Sequence, residues 1–281
     1  MFWFENRSIA FTKKIELIIL YLLFALVVAF FLFVIYSIIE EKYGLLYHKP
    51  FFVHFYPSVK TLDANQSYIL NKKFHYYNSL SDKKKKYFEH RVATFIAKYE
   101  FIGKEDFTIT DEVRVLIAST SVMLSFGLRN YLFTNFDKIV VYPSQYYSNI
   151  NEAYHKGEFN PRMKAVVFSW EDFIAGYETT SDNLNLGIHE FAHVLHIHGL
   201  KSQDTSAIIF SRMYNQIQKE INFPANRDKL INSNYFRIYA YTNQFEFLAV
   251  ILEHYFESPT SFKQEFPQLF NNVSKMLNHK H

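Results

Sequence analysis

The 281-residue chain has no cysteine. That excludes disulfides and thiolate metal ligands, so any metal must be held by His, Asp or Glu. It leaves the compartment undecided. A strong charge imbalance is missing too: 30 Lys and Arg face 27 Asp and Glu, a net charge of +3 with the two signs interspersed. Nucleic-acid binding, which calls for a basic patch or stripe, gains no support from this. Glycine is scarce, with 7 residues, while Phe (31) and Tyr (21) are abundant, a bias that carries no mechanistic reading by itself. With 49% apolar residues the chain has ample material for a packed core, which argues against disorder over most of its length.

Residues 17–39 form an uncharged run flanked by Lys13, Lys14 and Glu16 on one side and Glu40, Glu41 and Lys42 on the other. As a helix this run spans roughly 35 Å, enough to cross a hydrocarbon layer with some tilt. A cleaved signal peptide would have a shorter apolar region ending in small residues, whereas residues 34–39 stay bulky, so the run reads as one transmembrane helix. Arg7, Lys13 and Lys14 before it, against Lys42 and Lys49 after it, lean towards an inside amino terminus, and hence a domain outside the cytoplasm. The expected organisation is an amino-terminal flank (1–16), the membrane helix (17–39), a connector (40–65) and a single domain (66–281).

Within that domain Ser81-Asp82 opens a helix whose apolar residues, Tyr87 through Tyr99, recur at helical spacing until Gly103. Its four lysines, 83–86, read as a solvated face. Thr110 starts a second helix that runs to Gly127. Residues 139–143 and 165–170 are short β-branched or aromatic runs that read as strands. Helical periodicity returns from Asn183 to Gly199 and again from Asn243 to Phe256. The expected fold is therefore α+β, mainly helical with a small mixed sheet. The end of the chain, 278–281, contains two histidines but reads as a disordered tail.

The segment His189-Glu190-Phe191-Ala192-His193 falls inside one of these helices. Residues four apart share a helix face, so the two imidazoles can meet one ion. Glu190 is then placed beside a metal-activated water, as general base. Zn²⁺ suits such a site, and its catalytic form needs a third protein ligand. The metzincin continuation requires Gly at 196 and His at 199, but the sequence has His196 and Gly199 and fails that pattern. His196 is instead a neighbour of the site. Glu246 and Glu253, both acidic within an otherwise apolar helix, are the candidates for the third ligand. Glu246 is preferred, and Glu253 is alternatively a partner of a ligand histidine.

Taken with the blocks at 95–103, 109–118, 140–143, 167–172 and 239–250, in that order, the sequence resembles the MtfA-like (Mlc titration factor A) zinc peptidases. These are distantly similar at their catalytic site to the anthrax lethal factor protease. The resemblance covers roughly residues 75–260. It implies a zincin-like, gluzincin-type domain with Zn²⁺ held by His189, His193 and Glu246, and Glu190 as base. Tyr239 matches a tyrosine thought to face the catalytic centre, where its hydroxyl could hydrogen-bond the oxyanion. Aminopeptidase activity and a cytoplasmic location are implied as well, together with a possible regulatory protein partner such as a transcriptional repressor. Where the family commonly continues its histidine motif into Lys-Leu-Asp, this chain has Val194-Leu195-His196, so the carboxylate that steadies a ligand histidine is either missing or supplied from elsewhere.

Two functions follow. One is a membrane-anchored peptidase in which the strand 165–170 pairs with an extended peptide or protein substrate. The other is a binding module that sequesters a regulator, with hydrolysis secondary.

Overall fold

A computed structural model of the chain describes residues 2–148, 152–178 and 182–279, with side chains from residue 13 onward. Its first element, α1 (Phe2–Tyr47), is one continuous helix. Over Lys13–Tyr47 it is long and apolar enough to cross a membrane, and none of its most apolar stretch is buried against the protein. The chain then turns back along the helical body. Leu62 enters the core, and the backbone N–H of Lys60 donates to His90 Nδ1 at 2.8 Å.

The body begins with α2 (Ala64–Lys73), α3 (His75–Asn78) and α4 (Asp82–Lys98). The lysines of α4 do lie mostly on its exposed face. Its helix stops short of Gly103, because residues 100–103 form a strand, β1 (Glu100–Gly103). The alternation of Phe101 and Ile102 with their neighbours fits a strand as well as a helix, and pairing with β2 (Lys138–Tyr142) decides between them. Helix α5 (Asp111–Ser125) lies between these strands, capped by Thr110, whose side chain accepts from the Val113 N–H.

Strands β3 (Tyr146–Ser148) and β4 (Ala153–His155) make a two-stranded antiparallel ribbon. The main sheet has the order β1-β2-β6-β5, with β5 (Gly157–Asn160) and β6 (Ala165–Ser169) as its last two members. β6 pairs in parallel with β2 on one side and antiparallel with β5 on the other. Both of its edges are occupied, so it cannot pair with a substrate as expected. β5 holds the edge instead. Trp170, expected at the end of that strand, opens α6 (Trp170–Glu178).

Helix α7 (Leu186–Lys201) follows, then α8 (Thr205–Asn222), α9 (Pro224–Asn232), a 3₁₀ turn (Ile238–Tyr241) and α10 (Gln244–Glu257). Gly199 does not end α7. Its φ is not positive, and a Cβ placed on it would stand 2.2 Å from Cδ1 of Phe210. The glycine is needed for the close approach of α8, not for a C-cap. Phe191 of α7 fills the centre of the core, with ring centroids 6.2 Å from Phe95, 6.3 Å from Phe136 and 5.6 Å from Phe168. Burying a Phe side chain contributes roughly 2–3 kcal/mol, and here it fixes α7 against α4 and the sheet together.

Helices α11 (Pro259–Glu265) and α12 (Pro267–Leu277) close the fold. The expected disordered tail is docked as far as it is described: His279 is buried, with Nε2 2.8 Å from the Tyr76 hydroxyl. Residues 280–281 lie outside the described residues.

Candidate metal centre

Two helix starts build the site. Asn185 caps α7: its side-chain oxygen accepts from the Ile188 N–H at 3.0 Å, while its Nδ2 donates to Gly176 O and Glu257 Oε1 at 2.9 and 3.0 Å. Asn243 caps α10 by accepting from the N–H groups of Phe245 and Glu246 at 2.8 and 3.1 Å. Glu246 thereby sits in the first turn of α10, where the helix dipole favours a negative charge.

These caps bring His189 and His193 of α7 opposite Glu246 of α10, with one ligand atom from each lying within 4.8 Å of the others. Nε2 of His189 is 3.0 Å and Nε2 of His193 3.7 Å from Glu246 Oε2. That oxygen is buried and takes no well-aligned hydrogen bond. A buried carboxylate oxygen aimed at two imidazole nitrogens is costly unless something positive joins them. The donor set of two nitrogens and one oxygen fits a metal ion.

The charges respond as a coupled set. Burial opposes a proton on His189, yet the carboxylates of Glu246 and Glu253 outweigh it and hold the imidazole up to about 10. Burial and the neighbouring His189 push His193 down. For Glu246 burial pulls upward, but the two imidazoles hold the carboxyl below its ordinary value.

Glu253 is the partner of a histidine, one of the two roles open to it from sequence. Its Oε1 accepts from His189 Nδ1 at 2.7 Å, which leaves Nε2 to face the site. It is only 1% exposed and is held from behind by Arg237, whose two terminal nitrogens donate to its carboxylate at 2.5 and 2.8 Å. The carboxylate that Val194-Leu195-His196 fails to supply thus comes from α10. Nothing in the sequence pattern singles out Arg237.

Glu190 projects from the same turn of α7 as His189 and is buried, which raises its carboxyl to about 7. The Phe159 N–H of β5 donates to it. Gly157 makes room for this arrangement, since a Cβ there would stand 3.0 Å from Glu190 Cγ and Oε1. A cavity of about 370 Å³ opens beside the pair, lined by Gly157, Leu186, His189, Glu190, Arg237 and Glu253 among others. Tyr239, on the 3₁₀ turn, is half exposed, with its ring centroid 6.0 Å from that of His189. Its hydroxyl faces Glu246, and burial together with that carboxylate raises it to about 12.

His196 does not join the group. Only 1% exposed, it lies between Tyr214 and Phe245, with centroids at 4.3 and 4.7 Å, and burial drops it to about 4. It is a neutral core residue.

Residues 57–277 match the glucose-regulated metallo-peptidase M90 family. The chain belongs to that family. The matched span takes in both caps, all of α7 and α10, and the whole sheet. An uncharacterized protein of Synechocystis sp. is 27% identical over 231 residues, 74% of this chain and 81% of the relative. M90 membership makes this a metallopeptidase-like protein with a zincin-like fold and calls for a metal ion. Among the described residues, His189, His193 and Glu246 form the one group of three or more His, Asp or Glu side chains that could hold it.

Proposed function

We propose that the protein is a membrane-anchored zinc-dependent peptidase, with residues 17–39 as the anchor; the connector expected at 40–65 is shorter, since α1 runs on to Tyr47 and the body of the catalytic domain opens with α2 at Ala64. The observation that carries this reading is the convergence of His189 Nε2, His193 Nε2 and Glu246 Oε2 beside the buried carboxylate of Glu190. His189, His193 and Glu246 would hold Zn²⁺, which when bound supplies Lewis acidity to a water and to the scissile carbonyl.

The chain's own residues account for the rest. Glu190, poised at about 7, takes the proton of the attacking water and returns it to the departing amine. Tyr239, kept neutral by a hydroxyl pKa of about 12, donates a hydrogen bond to the oxygen that becomes negative. Arg237 and Glu253 fix the ring and tautomer of His189. The edge strand β5, whose Gly157 and Phe159 lie against Glu190, is the surface on which an extended peptide adds as a further strand.

The family resemblance makes unblocked peptides the natural test substrates, with amino-terminal trimming as the expected product pattern. Glu190→Gln should keep its zinc and lose turnover by roughly 10²–10⁴-fold. A variant that holds zinc and cleaves at the wild-type rate would end this mechanism.

A further inference from the structure

Helix α1 does not leave the catalytic domain on a loose tether. Glu40, one residue beyond the apolar run, is 4% exposed and paired with Arg129 at two guanidinium nitrogens. Gly44 of α1 lies so close to α8 that a Cβ on it would stand 2.8 Å from Thr205 Cγ2 and 3.3 Å from Ile209 Cδ1. The segment after α1 then folds back down the helix. The Phe51 N–H donates to Glu40 Oε1 at 3.3 Å, and the Phe51 ring lies between Tyr36 and Tyr43, with centroids at 5.9 and 4.6 Å. Tyr36 belongs to the last turn of the apolar run.

That contact sets a height. Phe51 and Phe52 stand level with the end of the membrane-spanning stretch, not above it. Phe52 is anchored there, its carbonyl accepting from Arg129 at 3.2 Å and its ring 4.0 Å from the Arg129 guanidinium. Phe55 follows, its ring 6.2 Å from that of Phe52. All three rings face solvent, at 42%, 44% and 73% exposure. Lys42 and Lys49 are exposed on the same segment.

We propose that Phe51, Phe52 and Phe55 are seated in the headgroup layer of the membrane crossed by α1, docking the base of the peptidase domain directly on the lipid surface. The proposal rests on the reading of α1 as a membrane span. Aromatic rings at the end of such a span settle at the headgroup level, where their apolar bodies leave water and nearby lysines reach lipid phosphates. The salt bridge and helix packing at Glu40 and Gly44 make the junction stiff. The metal site therefore sits at a fixed height and acts on chains held near the bilayer.

Depth-dependent quenching tests this on the full chain in phosphatidylcholine and phosphatidylglycerol vesicles. Trp3 and Trp170 are replaced by Phe, and one tryptophan is introduced by Phe55→Trp, Phe30→Trp or, as a control on the exposed ribbon, Tyr154→Trp. The Phe55→Trp fluorophore should be quenched roughly twofold more by a headgroup nitroxide than by one deep in the acyl chains, with the reverse for Phe30→Trp. Phe55→Trp quenched no more than Tyr154→Trp, beside a deeply quenched Phe30→Trp, would overturn the docking and leave the span standing. Blue-shifted emission from Phe55→Trp without quenching by either label would show that protein and not lipid covers the patch, and would also overturn it. Shallow quenching of Phe55→Trp with none in Phe30→Trp would place the rings at a lipid surface that α1 does not cross, and would overturn the span and with it the docking as proposed. Loss of quenching in both would remove both.

Discussion

Two arginines of this protein have surrendered water on different terms. Arg91 is 0% exposed and donates to neutral acceptors: the carbonyls of Ser125, Phe126 and Leu128, that of Val53 at longer range, and the Tyr56 hydroxyl, with the Tyr131 ring 4.4 Å away. Arg237 is partly exposed and meets a buried carboxylate, which in turn holds a histidine of the candidate metal centre. The first joins the segment after α1 to the end of α5 and carries no chemistry. The second aims a side chain. A buried cation is thus no sign of a site until one asks what its acceptors touch.

The largest expected effect breaks the comparison on the structural side. Arg91→Ala leaves several buried carbonyls without a donor and should cost on the order of 4 kcal/mol in urea unfolding, while zinc bound per folded molecule stays unchanged. A folded Arg91→Ala protein that had lost its metal would tie the two regions together and refute the division.

On the catalytic side, Tyr239→Phe should lower turnover roughly 10²-fold at constant zinc content, since only the oxyanion donor is lost. Equal losses of zinc and turnover would make Tyr239 part of the metal's support instead. Arg237→Gln should weaken zinc roughly 10–100-fold, read by competition with a chelating dye, with little change in unfolding. A stability loss as large as that of Arg91→Ala would make Arg237 architectural as well.

The smallest effect is a pH slope near Arg91. His54 stacks on Tyr87 at 4.8 Å, and burial and then Arg91 push it from 6.5 to about 3. A histidine lowered in the fold is refused a proton that the unfolded chain accepts. Its contribution is therefore fully present above about pH 6.5 and is lost as pH falls from there towards 3. Urea midpoints from pH 7 to 4 should decline less steeply in His54→Phe than in the wild type.

Much of the candidate metal centre was legible because spacing and cost are sequence properties. His189 and His193 share a helix face, and Glu246 is an acid in an apolar helix. Glu253 could be narrowed to two roles, and its 2.7 Å contact with His189 identifies the role as histidine partner. Arg237 was illegible because its meaning lies across 16 residues to Glu253 and 48 back to His189, and a single arginine makes no periodic pattern. Gly157 was hidden for the same reason, since its closeness to Glu190 arises only when β5 takes the sheet edge. Gly199 misled as a helix stop, since close approach to Phe210 and chain reversal call for the same residue. At β1 the local period fits two structures, and only pairing with β2 chooses between them.

The measurement that bears most directly on the metal centre is zinc stoichiometry and affinity in Glu246→Ala, compared with the wild-type full chain in detergent. Removing one of three ligands should weaken zinc by at least about 100-fold and abolish peptide turnover, with circular dichroism unchanged. Wild-type zinc affinity in a folded Glu246→Ala protein would contradict the three-residue centre on which the account stands.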